Sequence, residues 1–510
     1  MYIKSYYDYM AEISADELYD GLLGYGLFTE KLPPIFTSEA FLHYCRTNNP
    51  VYDEKSKDYI SFNIMRNINI PRTMGIPTPM KYEVLCRTLR DNWNDILHHF
   101  SIYTGGQNYR VSRIHLRKLY DRDTGLRKPE LFEMNYRNYK IEDNPEDDLL
   151  IGQDQTNKYV VHADISTCFP SIYTHSIPWA LVGKNTAKVN RTQRYWYNKI
   201  DRATQYTKNG ETHGLIIGPH TSNLLSEIIL VVVDYKLLNK NYLFIRNIDD
   251  YDCYVSSYEE GQKFITDLEK ELREYDLPLN HKKTKIDKLP VTITKEWKHI
   301  LNSVSLIAPY GKTSFTEVTH YLDTAIELSN ENNDSAVLKY AIKALSKLDA
   351  FTSNGQKTAE KRILHLATIY PYLLHDIEKC VFIPFHTHQS TIEQFANAIY
   401  AESINQNNLE GICYSIYYSI KYDFEINGID IMDLINTNDC LCRLFAWLYY
   451  KKHPGTREIA ILKQDALNIV NTTDFERNWL FVYEILDAND LPIGEWRDMK
   501  NQNISFLRAI

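Results

Sequence analysis

Tyr242-Leu-Phe-Ile-Arg-Asn247-Ile248-Asp249-Asp250-Tyr-Asp-Cys-Tyr-Val-Ser256 reads as a β-hairpin. Two runs rich in aromatic and β-branched residues flank adjacent aspartates, and such runs favour extended backbone on either side of a tight turn. Side chains alternate along a strand, but at a hairpin tip two consecutive carboxylates can sit near one point. Aspartate is also common in solvated turns, so the pair alone is a weak signal. Two anions at one point repel unless a cation joins them, and magnesium takes hard oxygen ligands of this kind.

Working outward, Lys158 to Asp164 is a short apolar strand ending in a carboxylate. A strand end beside the hairpin tip would bring Asp164, Asp249 and Asp250 together. Three such groups can hold two metal ions, one activating an attacking hydroxyl and one holding a nucleoside triphosphate. The separation of 85 positions from Asp164 to Asp249 leaves room for an inserted helix. Within that interval Gly214-Leu-Ile-Ile-Gly218 precedes Pro219, and Pro219 to Leu238 reads as a buried helix with a nearly all-apolar middle. Gly214 and Gly218 would permit close backbone approach to a ligand. Glu259 to Tyr275 has the apolar spacing of an amphipathic helix.

In order along the chain, these segments resemble the reverse transcriptases. Asp164-x4-Phe169 resembles their motif A, and Gly214-x3-Gly218-x3-Ser222-x2-Leu225-x-Glu227 their motif B. Asn247-Ile-Asp-Asp250 resembles the YxDD box, and Leu277-Pro-Leu-Asn280-x-x-Lys283-Thr-Lys285 the motif D region. Upstream, Pro71-Arg72-Thr-Met-Gly-Ile-Pro77-x-Pro79-x-x-Tyr82 resembles the fingers segment, so the resemblance spans about residues 62 to 290. Within that family, Tyr173-Thr-His-Ser-Ile-Pro-Trp179 is similar to the bacterial abortive-infection group, the AbiK-like enzymes and their prophage-encoded relatives.

The resemblance implies a DNA polymerase joining deoxynucleotides by two-metal phosphoryl transfer, with Mg²⁺ or Mn²⁺ as cofactor. It implies catalytic, metal-holding roles for Asp164, Asp249 and Asp250, with a backbone carbonyl from Ile165. On the dNTP side it implies Arg72, Phe169, Gly218 and Lys283. An aromatic ring at Phe169 would collide with a ribose 2′-hydroxyl and select deoxynucleotides. The group's properties imply phage defence, template-independent synthesis, a protein tyrosine as primer, a single-stranded DNA product attached to the protein, a homo-oligomer (trimer or hexamer) and a bacterial cytoplasmic location. Asn247 stands where tyrosine is usual and Ile217 where many template-copying relatives have glutamine; both departures suit relaxed template use. The chain has 39 tyrosines. Tyr25, between Gly24 and Gly26, is the candidate primer on the expectation of a flexible loop, and Tyr6, Tyr7 and Tyr9 are expected in a mobile N-terminus.

The remainder sets the frame. A chain of 510 residues is too long for one core. The expected fold is α+β: antiparallel-sheet fingers and palm over residues 1–300, then an all-α domain, HEAT-like in one form, over 301–510 in place of a thumb. Helix-sized amphipathic windows mark that second part at Val318–Leu328, Ala336–Leu348, Ile392–Ala401, Cys440–Tyr450 and Ile459–Val470. Eight scattered cysteines with no CxxC pair argue against a disulfide framework or zinc site. The longest aliphatic run, Ile228 to Val233, is far short of a membrane span, so no membrane partner is expected. A net charge of −9 argues against tight duplex binding, although Arg110 to Lys128 is strongly basic and an acidic loop with Glu142, Asp143, Glu146, Asp147 and Asp148 follows. Two rival readings are a conventional RNA-templated reverse transcriptase and a catalytically silent nucleic-acid-binding scaffold.

Overall fold

The computed structural model describes residues 4–66, 71–107, 111–112, 116–121, 124–132, 156–289, 296–307 and 311–508. Arg110, Arg113 and Arg122 of the basic stretch, and the acidic loop with Glu142 to Asp148, lie outside them. Three of the described basic side chains there are engaged by the protein's own acids. Lys118 and Arg127 pair with Glu17 at 2.9 and 2.5 Å, and Lys128 with Asp121 at 3.7 Å.

Strands β1 (Tyr59–Met65) and β2 (Pro71–Pro77) pair antiparallel. β2 forms although Pro71, Gly75 and Pro77 punctuate its sequence. Both prolines sit at the strand's ends, where a missing N–H is tolerated. Between them Met74 and Ile76 oppose Phe62 and Ile60, and all four are buried. Two helices follow, Pro79–Asp91 and Trp93–Thr104. Trp93 at the junction is buried, its indole N–H donating to the Ile13 carbonyl at 2.8 Å.

The second sheet is antiparallel in the order β4 (Leu243–Asn247), β5 (Asp250–Val255), β3 (Tyr159–Asp164), β6 (Lys285–Lys288). β3 is flanked on both sides, and its Val160, Val161 and Ala163 are buried. The short strand β6 closes one edge with exposed Lys285 and Lys288, side chains that discourage pairing with another chain. The Tyr258–Arg273 helix, capped by Ser257, lays Phe264, Leu268 and Leu272 over the sheet. The His220–Leu238 helix is apolar almost all round and is buried accordingly, between the sheet's covering helix and the Trp93–Thr104 helix.

All five amphipathic windows of the C-terminal part are helices, at Phe315–Asn332, Ala336–Leu345, Gln389–Gln406, Cys440–Lys452 and Thr456–Val470. Each packs on helices near it in sequence: Gln389–Gln406 on Leu409–Tyr422, and Leu409–Tyr422 in turn on Cys440–Lys452. This region also folds back on the front of the chain. Thr37 N–H donates to the Phe506 carbonyl at 2.9 Å and Arg508 N–H to the Ile35 carbonyl at 2.7 Å. Phe506 sits among the rings of Phe28, Phe41 and Trp479. The far end of β1 is held too, Met65 N–H donating to the Glu410 carboxylate at 2.9 Å.

Tyr6, Tyr7 and Tyr9 lie in a helix and not in a mobile arm. Ser5 caps a helix over Tyr6–Ala11, and Tyr6 is buried against Phe100. All eight cysteines are free and buried, most of them in the apolar core. Among the described residues no helix is long and apolar enough to cross a membrane.

Candidate active site

β4 and β5 pair Asn247 with Asp250, so Ile248 and Asp249 form a two-residue turn. Ile248 has φ +58°, a left-handed conformation that a β-branched residue adopts only under strain. What holds it there lies beneath. The Arg246 side chain is fully buried, and its guanidinium donates to the Ile248 carbonyl at 2.9 Å, to Glu227 at 2.6 Å and to Asp234 at 2.8 Å. Both acids come from the buried His220–Leu238 helix, seven residues apart on one face. Burial pushes the Asp234 carboxyl up to about 6 even against the pull of Arg246. The sequence reading quoted Glu227 within a motif but missed this network. Its signal was there: charged residues inside an otherwise apolar helix need a buried partner.

On the other side of the turn, Asp249 accepts a hydrogen bond at its carbonyl from Ile165 N–H at 3.0 Å. Asp164 and Asp250 are register partners across β3 and β5. The structure therefore brings the three sequence-predicted carboxylates together: one oxygen from each of Asp164, Asp249 and Asp250 lies within 4.8 Å of the others. Asp164 is 6% exposed and Asp250 is open to solvent, giving a cluster with a buried root and an open mouth. Burial and the charge of Asp164 raise Asp249 above the usual carboxylate range. Burial, a hydrogen bond with Asp164 and the charge of Asp249 push Asp250 up to about 7. Crowded hard oxygens that resist ionising together are a donor set suited to a divalent cation such as Mg²⁺ or Mn²⁺. Among the described residues this is the one cluster of potential metal ligands.

Asp164 is further fixed by the segment after the Tyr258–Arg273 helix. Asn280 donates its side-chain amide to Asp164 Oδ2 at 2.7 Å and its backbone N–H to the Asp164 carbonyl at 2.7 Å. Lys283 places its ammonium 3.2 Å from the same oxygen while remaining mostly exposed. Asn280 was visible only as a letter of a motif; its grip on Asp164 depends on the chain crossing beside β3. Arg72, on β2, is solvent-open and close enough for its guanidinium to feel the charge of Asp249.

Phe169 lies in the short helix Cys168–Ser171 after β3, partly buried, and its carbonyl accepts from Leu215 N–H at 2.8 Å. Gly214 (φ +85°) and Gly218 (φ +131°) both use backbone that favours glycine. Both glycines allow a close approach of protein backbone. A Cβ on Gly218 would lie 3.1 Å from the Gly75 carbonyl of β2, and one on Gly214 2.9 Å from the Pro170 carbonyl. Gly218 thus seats β2, which carries Arg72, against the loop before the buried helix.

Tyr25 is not in a flexible loop. It ends the Ala15–Tyr25 helix, and its hydroxyl donates to Glu39 at 3.4 Å. Its neighbouring glycines are packing positions, Gly24 against Leu42 and Gly26 against His220. His220 is half-buried, and burial pushes its imidazole down to about 4.

Residues 112–300 match the family model described as reverse transcriptase (RNA-dependent DNA polymerase). This part of the chain is a reverse-transcriptase domain. No curated protein sequence matches the chain. Similar solved structures include apo telomerase from Candida tropicalis truncated from its C-terminal domain, at 13% identity and TM-score 0.32, covering 49% of this chain and 55% of that one. The untruncated apo telomerase from Candida tropicalis gives 12% identity and TM-score 0.32, covering 83% and 72%. Telomerase from Candida albicans in complex with a fragment of telomeric RNA gives 12% identity and TM-score 0.31, covering 80% and 64%. The chain spans about half the length of the first of these.

Proposed function

We propose that this protein is a DNA polymerase of the abortive-infection type, adding dNTPs without a template to a primer hydroxyl of its own. One observation carries the polymerase reading: Asp164, Asp249 and Asp250 present oxygens within 4.8 Å of one another at the mouth of the sheet. Bound divalent metal would supply an activated hydroxyl and charge neutralisation at the triphosphate. The chain's own residues do the rest. Asp164 and Asp249 hold the metal-binding oxygens in place, with Asp250 beside them and the Ile165 carbonyl at hand. Arg72 on β2 and Lys283 approach from two sides, as point charges suited to phosphate oxygens that gain charge in the transition state. Phe169 acts as the gate against ribose, and Gly218 keeps β2 close enough for Arg72 to reach.

Template independence and phage defence rest on the likeness of Tyr173 to Trp179 and on the departures at Ile217 and Asn247. The engagement of Lys118, Arg127 and Lys128 by internal acids agrees with it, since those cations are not free to track a long duplex. Tyr25 is the candidate primer, and its hydroxyl must exchange Glu39 for the incoming phosphate. A homo-oligomer in the bacterial cytoplasm, carrying single-stranded DNA covalently, completes the reading.

The test is incubation of the pure protein with Mg²⁺ and labelled dNTPs, without template or primer, on a denaturing gel with and without protease. Label that migrates with the protein and is freed by protease is expected, and it is lost in Asp249→Ala/Asp250→Ala. Label that enters only when a primer–template is added overturns template independence. No label in either case overturns the polymerase reading.

A further inference from the structure

The segment Tyr173 to Trp179 has no part in the chemistry of the carboxylates. It forms one wall of a separate cavity of about 500 Å³, between the helices Ser176–Val182, Lys184–Val189 and Trp196–Tyr206. That volume lies in the range of roughly 300–1,000 Å³ that encloses a small ligand. Two kinds of group face it. Tyr173 and Trp179 bring ring surface, their centroids 5.8 Å apart in an edge-to-face arrangement. Lys188, Arg191 and Arg202 bring exposed positive charge.

These cations are not neutralised locally. Arg191 donates its Nε–H to the Lys188 carbonyl at 2.8 Å and Arg202 donates to the Gln205 side-chain oxygen at 3.1 Å. Among the described residues none of the three forms a salt bridge with a carboxylate. The one acid lining the cavity, Asp201, is buried and already engaged by the His175 ring and by Gln205, whose amide donates at 2.7 Å. The bond to Asp201 raises the His175 imidazole, and the charges of Arg191 and Arg202 oppose that rise, so both guanidiniums stand near this ring. The cavity therefore has a braced polar floor, an aromatic wall and a surplus of cations.

A carboxylate-bearing peptide would use the cations and leave the rings idle. A phosphate joined to a flat heterocycle uses both, through charge-assisted hydrogen bonds from guanidinium and stacking on an aromatic face. We propose that this cavity is an accessory site for one nucleotide unit, its phosphate held by Arg191, Arg202 and Lys188 and its base laid against Tyr173 and Trp179. The unit belongs either to a free nucleotide or to a single strand. The wall is tied to the rest of the domain, because Tyr173 bridges to His213 and Gly214 N–H donates to the Ile172 carbonyl at 2.8 Å. The site is distinct from the carboxylate cluster and does not depend on the polymerase reading.

The test is equilibrium binding of dATP, inorganic triphosphate and the oligonucleotide (dA)8 to the full chain in EDTA. Arg191→Glu/Arg202→Glu is expected to weaken dATP and (dA)8 by about tenfold or more, since two exposed cations on a phosphate are replaced by anions. Trp179→Leu is expected to weaken dATP by about tenfold while leaving inorganic triphosphate unchanged, as a stacking contact requires. Arg191→Lys/Arg202→Lys should restore most of the binding, and Lys357→Glu, at an exposed cation on the Ser353–Ile369 helix, should leave it unchanged. (dA)8 binding at least about tenfold tighter than dATP assigns the site to a strand, and equal binding assigns it to free nucleotide; either supports the site. Binding kept in full by Arg191→Glu/Arg202→Glu, or absent for all three probes, overturns it.

Discussion

Asp164 and Asp250 stand directly opposite each other on β3 and β5, two carboxylates in a cross-strand position that pairs better with opposite charges. With Asp249 at the adjoining turn, the fold holds three anions where its own stability would prefer fewer. The raised pKa of Asp250, about 7, reports the same conflict, because the folded chain retains a proton there that the unfolded chain releases near pH 4. Sites that must bind cations commonly carry such a cost.

Asp250→Asn should therefore raise the melting temperature of the metal-free protein, by the equivalent of about 1 kcal/mol near neutral pH. The gain should shrink as the pH falls from about 7 toward 4, where the wild-type carboxyl is itself protonated. Nucleotide addition should fall in the same variant. Calorimetry in EDTA across that pH range checks it; an unchanged or lowered melting temperature at pH 7 contradicts the repulsion.

Arg246→Ala should be far more damaging than its distance from the metal-holding oxygens suggests. It leaves Glu227 and Asp234 buried without their cation and frees the Ile248 carbonyl. A loss of about 3–5 kcal/mol is expected from an uncompensated buried charge. Urea unfolding measures it. The triple variant Arg246→Met/Glu227→Leu/Asp234→Leu should recover much of that loss, since it removes the charges together.

Glu410 gives a pH dependence remote from the active site. Burial pushes it up to about 7 although Met65 N–H donates to it at 2.9 Å. Its folded pKa lies above its unfolded one, so the folded chain holds the extra proton between about pH 4.5 and 7, and stability falls as pH rises through that window. The slope integrates to at most about 3 kcal/mol. Glu410→Gln should flatten the curve, read as melting temperature against pH or as hydrogen exchange at the Met65 amide. A slope unchanged by the substitution would assign the titration elsewhere.

Gly218→Ala should cost about 1–3 kcal/mol, because φ +131° is strained for alanine and its Cβ meets the Gly75 carbonyl at 3.1 Å. The relaxation that relieves the contact moves β2 and with it Arg72. The expected kinetic result is a raised KM for dNTP with a smaller change in kcat. An unchanged KM would separate the position of β2 from nucleotide binding.

Much of this architecture was legible because local periodicity agrees with burial. The Asp249–Asp250 turn, the strand ending at Asp164, the buried helix before Leu238 and five amphipathic C-terminal helices each carry their pattern in consecutive residues. β2 was not legible as a strand, since prolines at both ends mask five residues of extended backbone that only pairing with β1 reveals. Tyr25 misled for the reverse reason: glycines read as freedom are spaces filled by Leu42 and His220, which come from other parts of the chain.

The sequence by itself determined which carboxylates the fold would gather, because strand alternation and a two-residue turn leave Asp164, Asp249 and Asp250 few other places to be. Only the tertiary structure decided what supports them. The Arg246 guanidinium on Glu227 and Asp234, the Asn280 amide on Asp164 and the seating of β2 on Gly218 join residues from separate elements, and the cationic cavity behind Tyr173 forms where three helices meet. Such contacts are settled by how buried polar groups find partners once the helices and sheets have packed, and no window of neighbouring residues encodes that choice.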